Sequence, residues 1–488
     1  MKSASKFEKV AARCWNLLNE GKPFTPIFVV GTMMMYLLVQ GEIGTNWAPM
    51  LQSFFIVLPF FVLYYHYDFP LFLRNYLWIP LLVFLVAGGE FFIGISVFAI
   101  ALYFFFTVFF WGTFYYHLRI GTSWLNFTRF WKLVMKNSDS TSGNAQEQLP
   151  KILLLLNMWL LTFNGMKGIT THSFYWYLGF FASVWLFSFV LHRYLFDWKP
   201  KYYEEKASVP QDLEEYEVES DRVIVIVIDG MRKERFQEAN TPFLDSLKAN
   251  GTEYTNMETV YPARTVVCFS SMFTGTYPFE HGIQSNMVWR LGIKVESIFD
   301  SLRKIGKKGK LLGIAHLVDS MGDDVETVTA VMKNDVADTN IMKRAKHIMK
   351  EQDPDLFIVQ LIGTDQTGHS RGVLYDEYLQ KISEADALVE DFVNWLQKEG
   401  KMNNTTLMIC ADHGQADGIG GHGHLDEGER FVPFFMHGPT IRPNQKIEDK
   451  HSLVSLASTI ATMLGAPFPS HARGPVLKDA FKRKEKSS

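Results

Sequence analysis

Acidic and histidine side chains follow several apolar runs in the second half of this 488-residue chain. These are Asp229 after "VIVIVI", Asp365 and His369 after "LFIVQLIG", Asp412 and His413 after "TTLMIC", and His422 and His424 in "GGHGH". Carboxylates and neutral imidazoles are ligands suited to zinc and similar divalent ions. One ion would have too many ligands here, so the pattern favours a site for two ions.

Each of these motifs is common by itself. An Asp-Gly pair after a strand is often only a turn, and a single histidine is usually not a ligand. Their joint occurrence after successive apolar runs is the stronger signal, and it indicates a metal site.

The runs that precede these residues read as strands. "RVIVIVIDG" is a continuous β-branched run, typical of a central parallel strand that is covered on both faces. Strand-like runs "KGKLLGIA", "LFIVQLIG", "TTLMICADHG" and "FVPFFMHG" alternate with helix-like stretches such as "TPFLDSLKANG" and "YDEYLQKISEADALVEDFVNWLQKEG". The alternation predicts an α/β fold with a mostly parallel central sheet and helices on both faces. Ligands bind beyond the carboxyl ends of such strands, where the Asp and His residues fall.

The motifs "VIVIVIDGMRKERF", "YPARTVVCFSSMFTGTYPFEHGI", "GTDQTGHSRG", "ADHGQ" and "GGHG" carry a specific resemblance. In this order they resemble the type I phosphodiesterase/nucleotide pyrophosphatase family of the alkaline phosphatase superfamily. The resemblance covers about residues 221–478 and excludes the apolar first half. It implies an alkaline-phosphatase-like fold with two divalent ions, zinc in preference to manganese.

The resemblance also implies roles for individual residues. Asp229, Asp412 and His413 match the ligands of one ion, and Asp365, His369 and His422 match those of the other. Thr265, in "PARTVV", matches the nucleophile, which also contacts the first ion, and Asn286 matches an asparagine that contacts a phosphoryl oxygen. The implied reaction passes through a covalent phosphothreonine.

Neighbouring polar residues receive simpler interpretations. We expect Arg264 to act locally, by capping or by attracting anions, and His424 to lie behind His422 or to face the substrate. The remaining expectations are loop or core positions for His281, His437, His451 and His471, and packing positions on the helix after Thr265 for Ser270 and Ser271.

The first half is strongly apolar and predicts an all-α transmembrane domain over residues 24–196 with five or six spans. Candidate spans cover residues 24–40, 51–68, 76–94, 96–117, 152–166 and 173–196. No cleavage site follows the first span, so it is expected to remain in the protein. Glu90, beside two glycines between the third and fourth spans, reads as a turn residue rather than an intramembrane functional group.

The orientation of this domain is less strongly indicated. Residues 1–23 are expected in the cytoplasm, together with the basic cluster Arg119, Arg129, Lys132 and Lys136. Residues 152–166 would span only about 22 Å of a core of about 30 Å, so the number of crossings stays open. We favour an extracytoplasmic catalytic domain over residues 221–488, joined by a charged linker, residues 197–220, that cannot form a core of its own.

The charge and the cysteine content exclude several kinds of partner and site. The net charge of −3 and the absence of a dominant basic tract argue against a nucleic acid polymer as partner. The three cysteines, Cys14, Cys268 and Cys410, provide neither a disulfide framework nor a thiolate metal cluster.

The expected function is a membrane-anchored, metal-dependent phosphodiesterase or phosphotransferase that acts on a phosphodiester, pyrophosphate or lipid-linked substrate. The architecture is similar to that of lipoteichoic acid synthases and of the ethanolamine phosphate transferases of GPI-anchor assembly. Sulfate-ester hydrolysis is disfavoured because Thr265 replaces the Cys or Ser of a sulfatase modification motif. An inactive binding module would usually lack a ligand or the nucleophile, whereas all seven positions are filled here. A transporter would predict charged residues paired within the spans, and apart from Glu90 the spans show few.

Overall fold

The computed structural model describes residues 21–67, 75–87, 91–115, 117, 124, 145–168, 174–195, 202–286, 288, 291–328, 334–416, 421–423 and 426–484. Their contacts divide them into two compact units, one formed by the described residues up to 195 and the other by those from 202 onward. Glu90, His424, Cys14 and the basic cluster around Arg129 lie outside the described residues.

The first unit is helical throughout. Its helices are α1 (Gly21–Val39), α2 (Trp47–His66), α3 (Trp78–Val86), α4 (Ile93–Phe104), α5 (Ala145–Met166) and α6 (Phe174–Val190). A short 3₁₀ turn, Asn75–Leu77, leads into α3, while π-helical turns extend α4 over Phe105–Tyr115 and α6 over Leu191–Leu195.

Three of these helical stretches are long and apolar enough to cross a membrane: Trp47–His66, Ile93–Phe110 and Glu147–Met166. The stretches Phe24–Val39, Asn75–Val86 and Phe174–Val190 are apolar but shorter. The finding supports a protein that crosses the membrane more than once, while five or six crossings stay a prediction.

Helix α5 begins earlier than the expected span 152–166. It has 22 residues and begins at Ala145, which gives about 33 Å of helix. The charged residues Glu147 and Lys151 interrupt the apolar pattern, but they pair with each other one turn apart and are buried at 7% and 3% side-chain exposure. Both residues precede the expected span 152–166, so they do not bear on the expectation of few charged residues within the spans.

Helix α5 is the buried centre of the first unit and packs against α1, α2, α3 and α4. Polar side chains link it to its neighbours: Trp159 Nε1 donates to Ser53 Oγ at 3.0 Å, and Asn157 Nδ2 donates to Ser96 Oγ at 3.0 Å. The side-chain Oδ1 of Asn157 accepts from the backbone N–H of Phe92, the residue before α4, at 2.7 Å.

The second unit is built on a nine-stranded sheet in the order β10-β3-β9-β7-β2-β6-β4-β5, with β8 paired to β3. The strands are β2 (Arg222–Ile228), β3 (Thr252–Glu258), β4 (Gly309–Ile314), β5 (Val325–Val328), β6 (Leu356–Leu361), β7 (Thr405–Cys410), β8 (Phe431–Val432), β9 (Phe434–His437) and β10 (Gln445–Ser452). The consecutive pairings β7–β2, β2–β6, β6–β4 and β4–β5 are parallel, as is the pairing of β3 with β10. Strand β8 pairs antiparallel with β3, and β9 pairs antiparallel with both β3 and β7. The predicted α/β fold with a mostly parallel sheet is confirmed.

The helices of this unit are α7 (Lys233–Glu238), α8 (Pro242–Ala249), α9 (Thr265–Thr274), α10 (Pro278–His281), α11 (Ile298–Lys304), α12 (Val318–Met321), α13 (Asn334–Glu351), α14 (Gly363–Arg371), α15 (Asp376–Lys398), α16 (Glu427–Arg430) and α17 (Ser455–Met463). Successive side chains of a strand point to opposite faces of the sheet. Because every residue from Val223 to Ile228 is buried, both faces of β2 are covered.

The described part of the predicted linker, residues 202–220, packs onto the second unit. A two-residue strand, β1 (Tyr216–Glu217), pairs antiparallel with β11 (Lys482–Arg483), and Tyr216 is buried in the hydrophobic core of this unit. The backbone N–H of Tyr203 donates to the Tyr277 hydroxyl at 2.8 Å. Tyr203 and Tyr216, which lie within the charged sequence, anchor this segment to the second unit.

Candidate active site

Two neighbouring parallel strands bring one group of candidate metal ligands together. Asp229 follows β2, and Asp412 and His413 follow β7, its neighbour in the sheet. His413 Nε2 lies 3.5 Å from Asp229 Oδ1 and 3.4 Å from Asp412 Oδ2. All three side chains are at most 3% exposed, and we call Asp229, Asp412 and His413 the inner group.

The inner group has the donor chemistry of a cation site. Asp229 Oδ1 and Asp412 Oδ2 are buried and have no hydrogen-bond partner within the described ranges. The His413 Nδ1 lies 2.8 Å from the Gly414 carbonyl, to which it can only donate, so Nε2 is left as the lone-pair atom that faces the carboxylates. Three ligand atoms suited to a divalent ion, two of them carboxylate oxygens without a hydrogen-bond partner in the described ranges, therefore converge within 4.8 Å of one another.

A second cluster lies beside the first, and we call Asp365, His369 and His422 the outer group. Asp365 and His369 lie one turn apart on α14, where His369 Nε2 is 3.4 Å from Asp365 Oδ2. His422 Nε2 is 3.2 Å from His369 Nε2 and 3.8 Å from Asp365 Oδ1. The side-chain exposures of 14%, 21% and 7% show that this group opens to solvent more than the inner group does.

His422 connects the outer group to the loop before α9 and to the inner group. Its Nδ1 lies 2.8 Å from the Ala263 carbonyl, an arrangement that again directs Nε2 into the site. The His413 and His422 rings stack at 3.9 Å, and Asp365, His413 and His422 also present ligand atoms within 4.8 Å. The six ligands expected from the sequence therefore lie in two adjoining clusters.

The expected nucleophile is the first residue of helix α9. Thr265 Oγ1 lies 3.3 Å from His413 Nε2, and the residue is only 4% exposed. Asn286 adjoins it, because its Oδ1 accepts from the backbone N–H of Val266 at 2.9 Å. Arg264 is the N-cap residue of α9, and a Cβ on Gly423 would lie 2.8 Å from its Nε. Its side chain therefore lies over the segment that carries His422.

The electrostatics of the site favour a bound cation. Burial raises the pKa of Asp229 well above its usual range, and the neighbouring Asp412 and Asp365 carboxylates raise it further. Burial also raises the pKa of Asp412. Burial lowers the pKa of His422 well below its usual value and so favours the neutral, ligating form. Converging carboxylates and neutral imidazoles fit divalent ions in both groups.

A family comparison accounts for this arrangement. The family model described as sulfatase matches residues 221–466, just over half of the 488 residues. The chain belongs to the sulfatase family, within the alkaline phosphatase superfamily. The matched residues include all six candidate ligands and Thr265.

Relatives of this sulfatase-family chain include enzymes named for other reactions. Human GPI ethanolamine phosphate transferase 3, catalytic subunit, is 30% identical over 156 residues, which cover 31% of this chain and 14% of that protein. Mouse ectonucleotide pyrophosphatase/phosphodiesterase family member 1 is 24% identical over 224 residues, which cover 41% and 25% of the two chains. The alignments with these two relatives thus span a quarter or less of the relatives' length.

Among solved structures, murine ectonucleotide pyrophosphatase/phosphodiesterase 5 aligns with a TM-score of 0.47 and 16% identity. The alignment covers 54% of this sulfatase-family chain and all of the murine chain.

The other polar residues of the sulfatase-family unit have structural contacts. Ser270 Oγ donates to the Val266 carbonyl at 2.6 Å, and Ser271 Oγ lies 2.8 Å from His281 Nε2 in the core. His437 Nδ1 lies 3.1 Å from the Asn250 carbonyl, and the His451 ring packs edge-on against Tyr254. These contacts lie outside both candidate groups.

Sequence reasoning missed two residues of the site, Gln360 and Gln415. Each is fully buried, and each donates a hydrogen bond of 2.6 Å to a candidate metal ligand. One signal was available, because Gln360 is the polar residue inside the apolar run "LFIVQLIG". Glutamine is not a usual ligand for zinc, so a search by ligand type passes over it.

Proposed function

We propose that this chain is a membrane-anchored, metal-dependent phosphodiesterase or phosphotransferase with Thr265 as nucleophile. The observation that carries the proposal is the position of Thr265 Oγ1, 3.3 Å from His413 Nε2 and at the first residue of a helix. The helix start adds partial positive charge beside the hydroxyl, which favours an anionic nucleophile and a phosphoryl group.

The proposed reaction has two steps. Thr265 Oγ1 attacks phosphorus, an O–P bond forms, and the bond from phosphorus to the first alcohol breaks, so that this alcohol leaves and takes up a proton. Water or a second alcohol then attacks the phosphothreonine, and Thr265 Oγ1 is released. Two divalent ions, held by the inner and outer groups, would favour the ionised threonine and offset negative charge on the phosphoryl oxygens.

Asn286 suits the role of a phosphoryl-oxygen donor. Its Oδ1 is already engaged by the Val266 N–H, which fixes the orientation of the amide. The remaining polar atom, Nδ2, is a donor only, and a fixed neutral donor stabilises negative charge that develops in the transition state.

Both a diester hydrolase and a transferase fit the site, because the second step differs only in the acceptor. The resemblance to a phosphodiesterase and to an ethanolamine phosphate transferase supports both readings. Attachment to apolar helices supports a lipid-linked substrate or acceptor. The family name favours a sulfate ester, but a threonine at position 265 argues for phosphorus chemistry.

The test uses the full chain purified in detergent, supplied with zinc and offered an aryl phosphodiester, an aryl phosphomonoester and an aryl sulfate. We expect cleavage of the diester in preference to the other two, and loss of that cleavage in Thr265→Ala by roughly a thousandfold or more. Thr274→Ala is the matched control, since it removes a hydroxyl from the last residue of the same helix. Adding glycerol or ethanolamine distinguishes a transferase, which forms a new ester with the alcohol, from a hydrolase.

Three results would contradict the proposal. Sulfate cleavage that exceeds diester cleavage would assign sulfatase chemistry. Diester cleavage at the wild-type rate by Thr265→Ala would show that Thr265 is not the nucleophile. A folded, metal-loaded protein that turns over none of the three compounds, with or without an added lipid, would favour a binding module.

The domain limits and the orientation are part of the proposal. We assign residues 24–196 to five or six crossings, residues 221–488 to catalysis, and the catalytic domain to the extracytoplasmic side. A reporter fused after Ser488 that is active only outside the cytoplasm tests the orientation. Activity of a cytoplasm-specific reporter at the same position would reverse it.

A further inference from the structure

Each candidate metal group has one buried glutamine behind one of its aspartates. Gln360 belongs to β6 and Gln415 to the segment after β7, and neither side chain has solvent exposure. Neither residue is of a type that commonly ligates zinc. Their similar placement in two different groups suggests a shared role.

Gln360 holds an aspartate of the inner group. Its Nε2 donates to Asp229 Oδ2 at 2.6 Å, and its Oε1 accepts from the backbone N–H of Ile314 at 2.9 Å. The amide is thus fixed at both ends, because β2, β6 and β4 are consecutive strands of the sheet. A Cβ on Gly313 would approach Gln360 Oε1 to 2.7 Å, so the glycine leaves room for the amide.

Gln415 holds the aspartate of the outer group. Its Nε2 donates to Asp365 Oδ1 at 2.6 Å and to the Asp365 carbonyl at 3.1 Å. A Cβ on Gly368 would lie 1.8 Å from Gln415 Oε1, and one on Gly230 would lie 2.9 Å from its Nε2. Two glycines of the sequence motifs therefore provide the space that this amide occupies.

Both hydrogen bonds leave one carboxylate oxygen for other partners. With Oδ2 of Asp229 engaged, Oδ1 faces His413 Nε2 at 3.5 Å and has no hydrogen-bond partner within the described residues. Oδ1 of Asp365 is engaged by Gln415 and lies 3.8 Å from His422 Nε2, while Oδ2 faces His369 Nε2 at 3.4 Å. A neutral amide donor fixes the carboxylate without cancelling its charge, which a lysine would do.

We propose that Gln360 and Gln415 are positioning residues, each of which orients the aspartate of one metal group so that it binds its ion through a single oxygen. The inference rests on the proposed metal-dependent function. Each glutamine acts on its own group because the two amides contact different aspartates. Metal affinity should therefore change in one group at a time.

The experiment measures zinc binding to the metal-free full chain in detergent by calorimetry. Gln360→Met and Gln415→Met keep the side-chain length and remove the donor. We expect each variant to bind one of two ions about 10–100-fold more weakly and the other unchanged, as is usual when an outer hydrogen bond to a ligand is lost. Gln366→Met is the matched control, because Gln366 is a buried glutamine next to Asp365 with no hydrogen bond to a candidate ligand among the described contacts.

A variant that cannot bind the outer ion identifies which ion's affinity depends on each glutamine. In an Asp365→Asn background, Gln360→Met should still weaken the remaining ion, whereas Gln415→Met should add nothing. Cobalt in place of zinc provides a spectroscopic readout, because an aspartate freed to bind through both oxygens adds a ligand and changes the visible absorption of the ion.

The outcomes separate this inference from the proposed function. A wild-type chain that binds no divalent ion with useful affinity overturns both. Two ions bound by the wild-type chain, with affinities that stay within twofold in both glutamine variants, overturn only the positioning role. Equal weakening of both ions by each variant also overturns it, since a general loss of packing would act that way.

Discussion

The inner and outer groups use similar side chains in different surroundings. The inner group sits on the ends of two adjacent parallel strands and is at most 3% exposed. The outer group combines a helix turn with the described loop 421–423, and its histidine on α14 is 21% exposed. The difference teaches that the sheet buries one candidate ion site beside Thr265, while the other lies closer to solvent.

The largest expected effect comes from removing a carboxylate of the inner group. Asp412→Asn should lower diester turnover by roughly a thousandfold, because the lost charge weakens an ion beside the nucleophile. In the metal-free state the same variant should melt higher than wild type, since Asp412 is buried beside Asp229 and like charges repel. Metal content by mass spectrometry and thermal melting with chelator check both parts.

Asp365→Asn is the matched variant in the outer group. It should lose an ion and turnover as well, but its metal-free melting temperature should rise less than that of Asp412→Asn, because neighbouring imidazoles and solvent partly offset the repulsion between Asp365 and Asp229. Equal gains in metal-free stability from both variants would remove the distinction between the groups.

A chelator should remove the ions of the two groups at different rates. We expect a chelator to remove the outer ion first, because His369 and Asp365 are reached by solvent and the inner ligands are not. Zinc release followed with a colorimetric dye should show two phases of equal amplitude. A single phase would indicate that the two sites lose their ions together.

A histidine outside both groups, His281, is expected to contribute to the loss of folding stability at low pH. Burial lowers the pKa of His281 to about 3, so the folded unit keeps it neutral while the unfolded chain binds a proton below about pH 6.5. Its contribution to stability is therefore complete above pH 6.5 and is lost as the pH falls towards 3, by about 2 kcal/mol at pH 5. Melting of wild type and His281→Gln between pH 5 and 8 should show a smaller pH slope in the variant, and identical slopes would assign the acid sensitivity to other groups.

The smallest expected effect concerns the far side of the nucleophile helix. Ser271→Ala removes the 2.8 Å hydrogen bond to His281 and should cost about 1 kcal/mol of stability. Turnover at 25 °C should stay within twofold of wild type, in contrast to Thr265→Ala on the same helix. A large loss of turnover without loss of stability would show that the helix transmits changes from this side to the site.

Much of the fold was predictable where burial is complete. Strands β2, β6 and β7 appear in the sequence as largely apolar runs because neighbouring strands and helices cover both faces. Strands β3, "TEYTNME", and β10, "QKIEDKHS", gave no such signal, because they carry charged and amide side chains near one edge of the sheet. A polar edge strand cannot be told from a loop by composition.

The ligand types of the candidate site were predictable from the sequence, but the fixing of the ligands was not. Asp and His residues can be recognised in the sequence because they directly follow predicted strands. The roles of Gln360 and Gln415 depend on their hydrogen bonds to Asp229 and Asp365, which are seen only in the folded structure. The seven helical residues of α5 before the expected span 152–166 were not apparent for a related reason, since Glu147 and Lys151 interrupt the apolar pattern and their pairing shows only in the structure.

That pair has a consequence for biogenesis. A helix that carries a carboxylate and an ammonium group enters a bilayer poorly on its own, because each charge costs several kcal/mol when it faces lipid. Helix α5 is buried by α1, α2, α3 and α4, all of which are synthesised before it. If α5 crosses the membrane, the earlier helices can therefore shield its buried ion pair from lipid as it inserts.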